Sequence, residues 1–257
     1  MTRRKPSKTT ASTAPGEPKH KLIANRLLAQ IEAGTWTPGA QIPSEDQLAI
    51  DTGASLGTIR RALGNLVEMG VLERHHGKGT FVSGARALER QLRHFRFVAE
   101  GSTKLLPVYF RVLDVAQTSD RGPWQAALGA SSDIFVRVSR IVSVNSEFDI
   151  FNEVYLPKKR FAMLLDMADN LDGVSIRDLL AERFNAPTLT THQYMRCEPL
   201  PPRVARHIGV AAGQYGMVLT VCAMSYRKTP ITWQRVFIPP SDRALEISCV
   251  SNFSLVG

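Results

Sequence analysis

The sequence predicts an α+β chain of two unequal domains, a small helical head with a hairpin followed by a larger, mainly antiparallel domain. Three observations carry this. The chain has 257 residues, more than one small core needs. Apolar residues recur at three- and four-residue steps up to about residue 70 and at two-residue steps beyond residue 105. Between the two lies a stretch marked by Arg86, Arg90, Arg93 and Arg96 and closed by Gly101-Ser102-Thr103, which reads as a linker. Hydrophobic residues at 44% and charged residues at 21% exclude a disordered or fibrous chain. No apolar run approaches the ~18–20 residues that span a bilayer. The basic N-terminus has no apolar stretch behind it, unlike a secretory signal. Cys197, Cys222 and Cys249 are too far apart for a zinc motif, and their odd number fits reduced thiols. A cytoplasmic protein with no cofactor and no membrane partner is expected.

Residues 1–18 mix Pro, Ser, Thr, Lys and Arg with almost nothing apolar, and are expected to form a mobile basic tail. The head is expected over 19–84. Leu22, Ile23, Leu27 and Ile31 mark a first helix, closed by Gly34 and the turn Thr37-Pro38-Gly39. Ser44 with Gln47 three residues on is a capping-box signature, with Glu45 and Asp46 in the first turn. That second helix is short, because Asp51-Thr52-Gly53 breaks it. Ser55 caps a third, over about 56–69, whose inner stripe is Ile59, Leu63, Leu66 and Val67 and whose terminal glycine is Gly70. Val71–Arg74, a turn over His75–Gly79, and Thr80-Phe81-Val82 complete a hairpin. Three helices and a hairpin in this order outline a winged helix-turn-helix.

After the linker, 85–104, a second domain is expected over 105–257. Its strands are predicted at 107–115, 133–144, 147–156, 188–198, 217–226, 230–239 and 245–252, and its helices at 158–166, 175–184 and 201–208.

A net charge of +9 permits nucleic-acid binding without arguing for it, because the excess is spread out: +3 over residues 1–18, +1 over 19–84 and +5 over the rest. Placement is more informative. In a helix-turn-helix the second helix of the pair lies in the major groove, first turn nearest the bases. Here that turn runs from Ser55 to Arg61, with Thr58 and Arg61 on one face and Arg60 beside it. Ser44 begins the preceding helix, where free N–H groups suit a phosphate. His76 and Lys78 flank Gly77 at the hairpin tip, within reach of the backbone or minor groove.

Leu27-x-Ala29-x-Ile31-x-x-Gly34, Pro38-Gly39, Ile42-Pro43-Ser44-Glu45, Thr58–Leu63 and Gly77–Val82 together resemble the GntR family of bacterial transcription regulators. The resemblance implies operator contacts at Ser44, Thr58, Arg60, His76 and Gly77. Leu56 and Asp46 stand where the family commonly carries Arg and often a basic residue, so the operator sequence does not follow. Arg140-Ile141, Glu153–Pro157, Ser175-Ile176-x-Asp178-Leu179-Leu180 and Ala205-x-x-Ile208-Gly209-Val210 resemble the UTRA sensing domain of the HutC-like branch. That likeness implies a chorismate-lyase-like fold, a small-molecule effector, a homodimer, and regulation of double-stranded operator DNA, as a repressor.

The hairpin over 133–156 suggests where the effector sits. If Asn145-Ser146 is a two-residue turn, Val144 pairs with Glu147 and Arg140 lies opposite Phe151. Arg140 then shares a face with Asp149, Glu153 and Tyr155. Two readings follow: an internal ion pair of Arg140 with Glu153 or Asp149, or a grip on an anionic ligand that Glu153 and Tyr155 orient. The resemblance favours the grip, with Ser175 at a helix N-terminus as a further contact. Many relatives carry a second Arg where this chain has Val142, which points from a phosphorylated ligand toward a carboxylate or a less charged metabolite.

Two alternatives stand beside the regulator. The second domain could serve only to dimerise, or the implied fold could host a lyase-like enzyme. Against an enzyme, there is no His-Glu-x-x-His, no phosphate loop, and His94, His192 and His207 are isolated.

Overall fold

The computed structural model describes residues 17–83, 95–99, 101–129 and 133–246. The head comprises α1 (Lys19–Glu32), α2 (Glu45–Thr52), α3 (Leu56–Glu68) and a hairpin of β1 (Leu72–His75) and β2 (Gly79–Val82). The expected serine caps form, but the capping box does not close, because the Gln47 amide donates to Asp51 Oδ1 at 2.8 Å. Ser44 and Ser55 precede α2 and α3, and each hydroxyl accepts the backbone N–H three residues on, at 3.2 and 3.3 Å. Gly53 ends α2 at φ 61°, a left-handed turn that a side chain would strain. Ala24, Leu27, Leu28 and Ile31 of α1 share one buried cluster with Ile59, Leu63 and Leu66 of α3 and with Val71, Leu72 and Val82 under the hairpin. A close-packed core leaves α1 and α3 no separate freedom, so the direction of one fixes the other.

The second domain is a six-stranded, wholly antiparallel sheet. Its strands are β4 (Val108–Thr118), β5 (Phe135–Val144), β6 (Phe148–Pro157), β7 (Thr190–Pro199), β8 (Tyr215–Met224) and β9 (Pro230–Ile238), in the spatial order β4-β5-β6-β9-β8-β7. Each falls within a few residues of its predicted span. The predicted helix 158–166 shrinks to α5 (Lys158–Phe161) and a 3-10 turn at Ala162–Leu164. A short α4 (Pro123–Leu128) was not expected, and α6 (Ile176–Phe184) and α7 (Pro202–His207) match.

Helix α6 covers one face of the sheet, packing Ile176, Leu179 and Leu180 on Val136, Val138, Val154 and Ile231. On the other face, Val204 of α7 and Ile208 just beyond it meet Ile141, Phe151 and Phe237, while Leu128 of α4 meets Phe135, Tyr155 and Trp233. β4 and β7 are the two edges of the sheet, and β7 is exposed along most of its length, Tyr194 and Met195 included.

The expected linker is corrected. Residues 85–94 lie outside the described residues, but β3 (Phe97–Val98) pairs with β10 (Ala244–Leu245), and Phe97 is fully buried against Val142, Ile150 and Val236. Phe95 and Phe97 stand on either side of Arg96, and that period of two is a strand signal. Phe97→Ala should therefore destabilise the second domain by about 3–5 kcal/mol in a urea titration. A loss below about 1 kcal/mol would place this segment outside the core. Of the predicted strand 245–252, residues 247–252 also lie outside the described residues.

The two domains touch through a small set of residues. Leu189 and Tyr226 of the second domain join the head's apolar cluster. Asn185 Nδ2 donates to the carbonyls of Ile31 (3.0 Å) and Glu32 (2.9 Å) at the end of α1. Arg227 grips the Glu32 carboxylate through Nε and Nη2 at 2.8–3.0 Å. No described helix is long and apolar enough to cross a membrane.

Candidate functional site

On the head, α3 presents Leu56, Arg60 and Arg61 to solvent while Ile59, Ala62 and Leu63 point inward. The hydroxyls of Ser55 and Thr58 lie 2.9 Å apart and engage each other across the first turn. Arg60 Nε donates to Glu45 at 2.7 Å, and Arg74 reaches the same carboxylate at 3.3 Å. That bond holds the Arg60 guanidinium above its ordinary pKa. Arg61 has no partner among the described residues. At the hairpin tip His76, Gly77 and Lys78 are all exposed, and Gly77 takes φ 69°. Gln41 Nε2 donates to the Lys78 carbonyl at 3.0 Å and passes so near Gly79 that an added Cβ there would lie 2.5 Å from it. Gly79 also takes φ 118°, a backbone conformation that a side chain would strain.

In the second domain the hairpin register differs from expectation. Asn145 and Ser146 do take the positive φ values of the turn, 50° and 59°, but Val144 pairs with Phe148 and Arg140 with Asn152. Glu147 is the additional residue. Its carboxylate accepts from Asn145 Nδ2 (2.7 Å) and Arg243 Nε (2.7 Å), which draws it out of the ladder. Side chains alternate along a strand, so a slip of one residue carries the whole of β6 to the other face. Glu153 and Tyr155 are therefore on the face opposite Arg140, and their expected ligand-orienting role is overturned. Glu153 accepts both Nη groups of Arg203 at 2.8 and 2.7 Å, and Tyr155 stacks on Trp124 with centroids 3.9 Å apart. Burial pushes the Tyr155 hydroxyl up to about 12. The alternative of an internal ion pair fails too, since Arg140 meets neither Glu153 nor Asp149.

What Arg140 meets instead is a cavity. Its side chain is buried, its Nε donates to Asn152 Oδ1 at 2.7 Å, and its guanidinium lies 4.6 Å from the Phe110 ring centroid. Nη1 is buried with no hydrogen-bond partner. Asn152 is held in turn by Gln234 Oε1 (3.2 Å) and the Arg235 carbonyl (3.0 Å). Burial pushes the guanidinium pKa down to about 10. The cavity holds about 390 Å³, large enough for a small metabolite. Leu106, Phe110, Ile176 and Leu180 supply apolar wall, Ser175, Thr188, Thr232 and Gln234 supply polar groups, and Arg96, Arg177 and Asp178 reach the rim as members of the ion pairs Arg96–Glu246 and Arg177–Asp178. Ser175 caps α6, its hydroxyl accepting the Asp178 N–H at 3.4 Å, so the helix N-terminus opens on the same space.

Of the four residues predicted to hold a ligand, the cavity brings together Arg140 and Ser175. Phe110, Asn152 and Gln234 were missed. Asn152 is legible only with the correct register, as a lone amide opposite a lone Arg in apolar strands. A buried cation with an unused donor favours any anion that can reach it, since leaving the charge unpaired is costly. No group of His, Cys, Asp and Glu side chains among the described residues is placed to hold a metal ion.

Comparison with known proteins agrees with both halves. Residues 19–82 match the gntR family of bacterial regulatory proteins, and residues 108–243 match the UTRA domain. A probable fructoselysine utilization operon transcriptional repressor of Escherichia coli K12 is 28% identical over 165 residues, 63% of this chain and 66% of that protein. The histidine utilization repressor of Pseudomonas aeruginosa is 39% identical over 66 residues, 26% of each chain. The second domain resembles the crystal structure of the ligand-binding domain of a GntR-family transcriptional regulator from Bordetella bronchiseptica, with a TM-score of 0.55 and 17% identity over 62% of this chain and 99% of that one. With the UTRA model matching more than half of its residues, the chain belongs to the UTRA-domain family, and it carries a head of the gntR family of bacterial regulatory proteins in front of that domain.

Proposed function

We propose that the protein is a cytoplasmic, homodimeric repressor that leaves its operator when a small anionic metabolite fills the Arg140 cavity. Each head would place α3 in a major groove, with the β1–β2 tip beside it, so the two-fold axis of the dimer matches a palindromic operator. Ser44, Ser55, Thr58, Arg60, Arg61, His76, Gly77 and Lys78 are the contact residues of this reading. A second copy would take the exposed β7 edge.

The observation that carries the effector reading is the buried, half-satisfied Arg140, whose Nη1 has no hydrogen-bond partner at the wall of the cavity. Arg96 and Arg177 also line the cavity but face Glu246 and Asp178, so Arg140 and the N-terminus of α6 are the groups that suit a carboxylate on a less polar body. The Escherichia coli relative is named for fructoselysine utilization, and a lysine derivative of that kind carries a carboxylate.

A thermal-melt screen of the full chain against small carboxylates, amino acids and sugar phosphates tests this. A ligand at 100 times its dissociation constant stabilises by ~2.7 kcal/mol, roughly 5–10 °C for a domain of this size. A carboxylate that both raises Tm and weakens operator binding is the expected result. A flat screen on well-folded, DNA-binding protein would favour a second domain that only dimerises, and turnover of a hit would favour an enzyme.

A further inference from the structure

Helix α6 has a functional feature at each end. At its start, Ser175, Ile176, Arg177 and Asp178 form one wall of the Arg140 cavity. At its finish, Asn185 caps it and reaches into the head, where its amide donates to the last two carbonyls of α1. Nine residues at about 1.5 Å each separate these ends, a rod of roughly 13 Å. A helix this short moves as a rigid body, so a shift imposed at the cavity arrives at Asn185 undiminished.

Asn185 is not what backbone preference alone would place there. It takes φ 45° and ψ 46°, the left-handed cap conformation that glycine adopts at least cost. What asparagine adds is a side-chain amide, and every polar atom of it is engaged: Nδ2 with Ile31 and Glu32, Oδ1 with the Tyr226 hydroxyl at 3.4 Å. The carbonyls it caps are ones that the end of α1 leaves without partners inside the helix. Around this clasp, Arg227 holds Glu32, and the Leu189 and Tyr226 side chains are packed into the head's own core. Because α1 and α3 share that core, a displaced α1 carries the groove-facing helix with it.

We propose that α6 links the cavity mechanically to the head, and that Asn185 is the positioning residue through which filling the cavity re-aims α3. The proposal rests on reading the cavity as an effector site and the head as a DNA reader.

The test uses a built-in wedge in place of a ligand. Ala223 lines the cavity and packs in the same cluster as α6, so Ala223→Phe pushes on the helix from within. Asn185→Gly keeps the left-handed cap but removes the clasp. Full-length wild type, the two single variants and the double variant are titrated by fluorescence anisotropy onto an operator selected from random DNA. The wedge is expected to weaken operator binding by about tenfold or more with Asn185 present and by less than about twofold in the Asn185→Gly background, a double-mutant cycle with strong coupling. Equal wedge effects in both backgrounds, or no wedge effect in wild type, would overturn the linkage. If circular dichroism shows Ala223→Phe unfolded, Thr232→Leu, on the paired position of the neighbouring strand and also in the cavity wall, replaces it with the same expected pattern. Wild type that selects no DNA at all would instead sink the reading of the head. A purely structural Asn185 would lower Tm in Asn185→Gly while leaving the wedge effect intact, and that pattern too overturns the proposal.

Discussion

Arg140→Met is expected to abolish the effector response while operator binding persists. Removing one partner of a buried, hydrogen-bonded charge pair costs about 2–5 kcal/mol, so ligand affinity should fall roughly 30-fold or more. The fold should survive, because two terms oppose each other. Methionine removes a buried cation that burial disfavours, which is stabilising, but it leaves Asn152 Oδ1 without its donor, at about 1–3 kcal/mol. Arg140→Lys should not restore binding, since one ammonium cannot hold Asn152 and a ligand with the geometry of a planar guanidinium. The pH dependence has a definite sign. With its folded pKa down at about 10, Arg140 destabilises the unliganded fold at all lower pH, and the penalty fades as pH rises through that value. Anion affinity should accordingly stay level between neutrality and about pH 9 and fall above about pH 10. Isothermal titration with a hit from the melt screen measures all three. An Arg140→Met protein that binds that hit normally removes the cavity assignment.

On the head, the largest loss is expected for Arg60→Ala. On the proposed placement of α3 in a groove, truncation removes a cation from that helix and also leaves Glu45 balanced by Arg74 alone, so a carboxylate that was shared would repel the phosphates. Operator affinity should drop by about 1–3 kcal/mol, roughly five- to 150-fold, with melting unchanged. Anisotropy titrations that find wild-type affinity would take α3 out of the groove. Leu56→Arg changes preference rather than strength. Leu56 is exposed at the first position of α3, where an Arg could bond guanine O6 and N7. Selection from random DNA should yield a guanine at one position per half-site that the wild type does not favour. An identical consensus for both proteins would mean this position does not read bases.

The head was almost fully legible because its signals are local. Ser44, Gly53, Ser55 and Gly70 mark helix ends by chemistry that acts within four residues, and the apolar stripes fix which faces turn inward. Strand positions in the second domain were equally plain from their alternation. What could not be read was register across the β5–β6 hairpin. Whether Glu147 belongs to strand or loop depends on Arg243, 96 residues away, and no local pattern carries that. A single extra loop residue put Asn152 where Phe151 was expected opposite Arg140, and carried Glu153 and Tyr155, two of the four predicted ligand residues, to the other face. The Phe97 segment was missed for a simpler reason: its arginine-rich setting looked like a tether, while two phenylalanines at alternate positions were the stronger signal. Asn185 could not have been found, because its partners lie 153 and 154 residues away, across a domain boundary.

The positions of the tryptophans bear on how ligand binding could be watched. Of the three, Trp36 packs on the head's core, whereas Trp124 and Trp233 sit with Tyr155 on the face of the sheet turned away from the cavity. None of these indoles lines the cavity itself. A metabolite bound beside Arg140 therefore quenches none of them by contact, and any change in intrinsic emission on its addition reports motion that has travelled. Selective replacement by phenylalanine would separate the two destinations: a signal that survives Trp124→Phe and Trp233→Phe but dies with Trp36→Phe has reached the head.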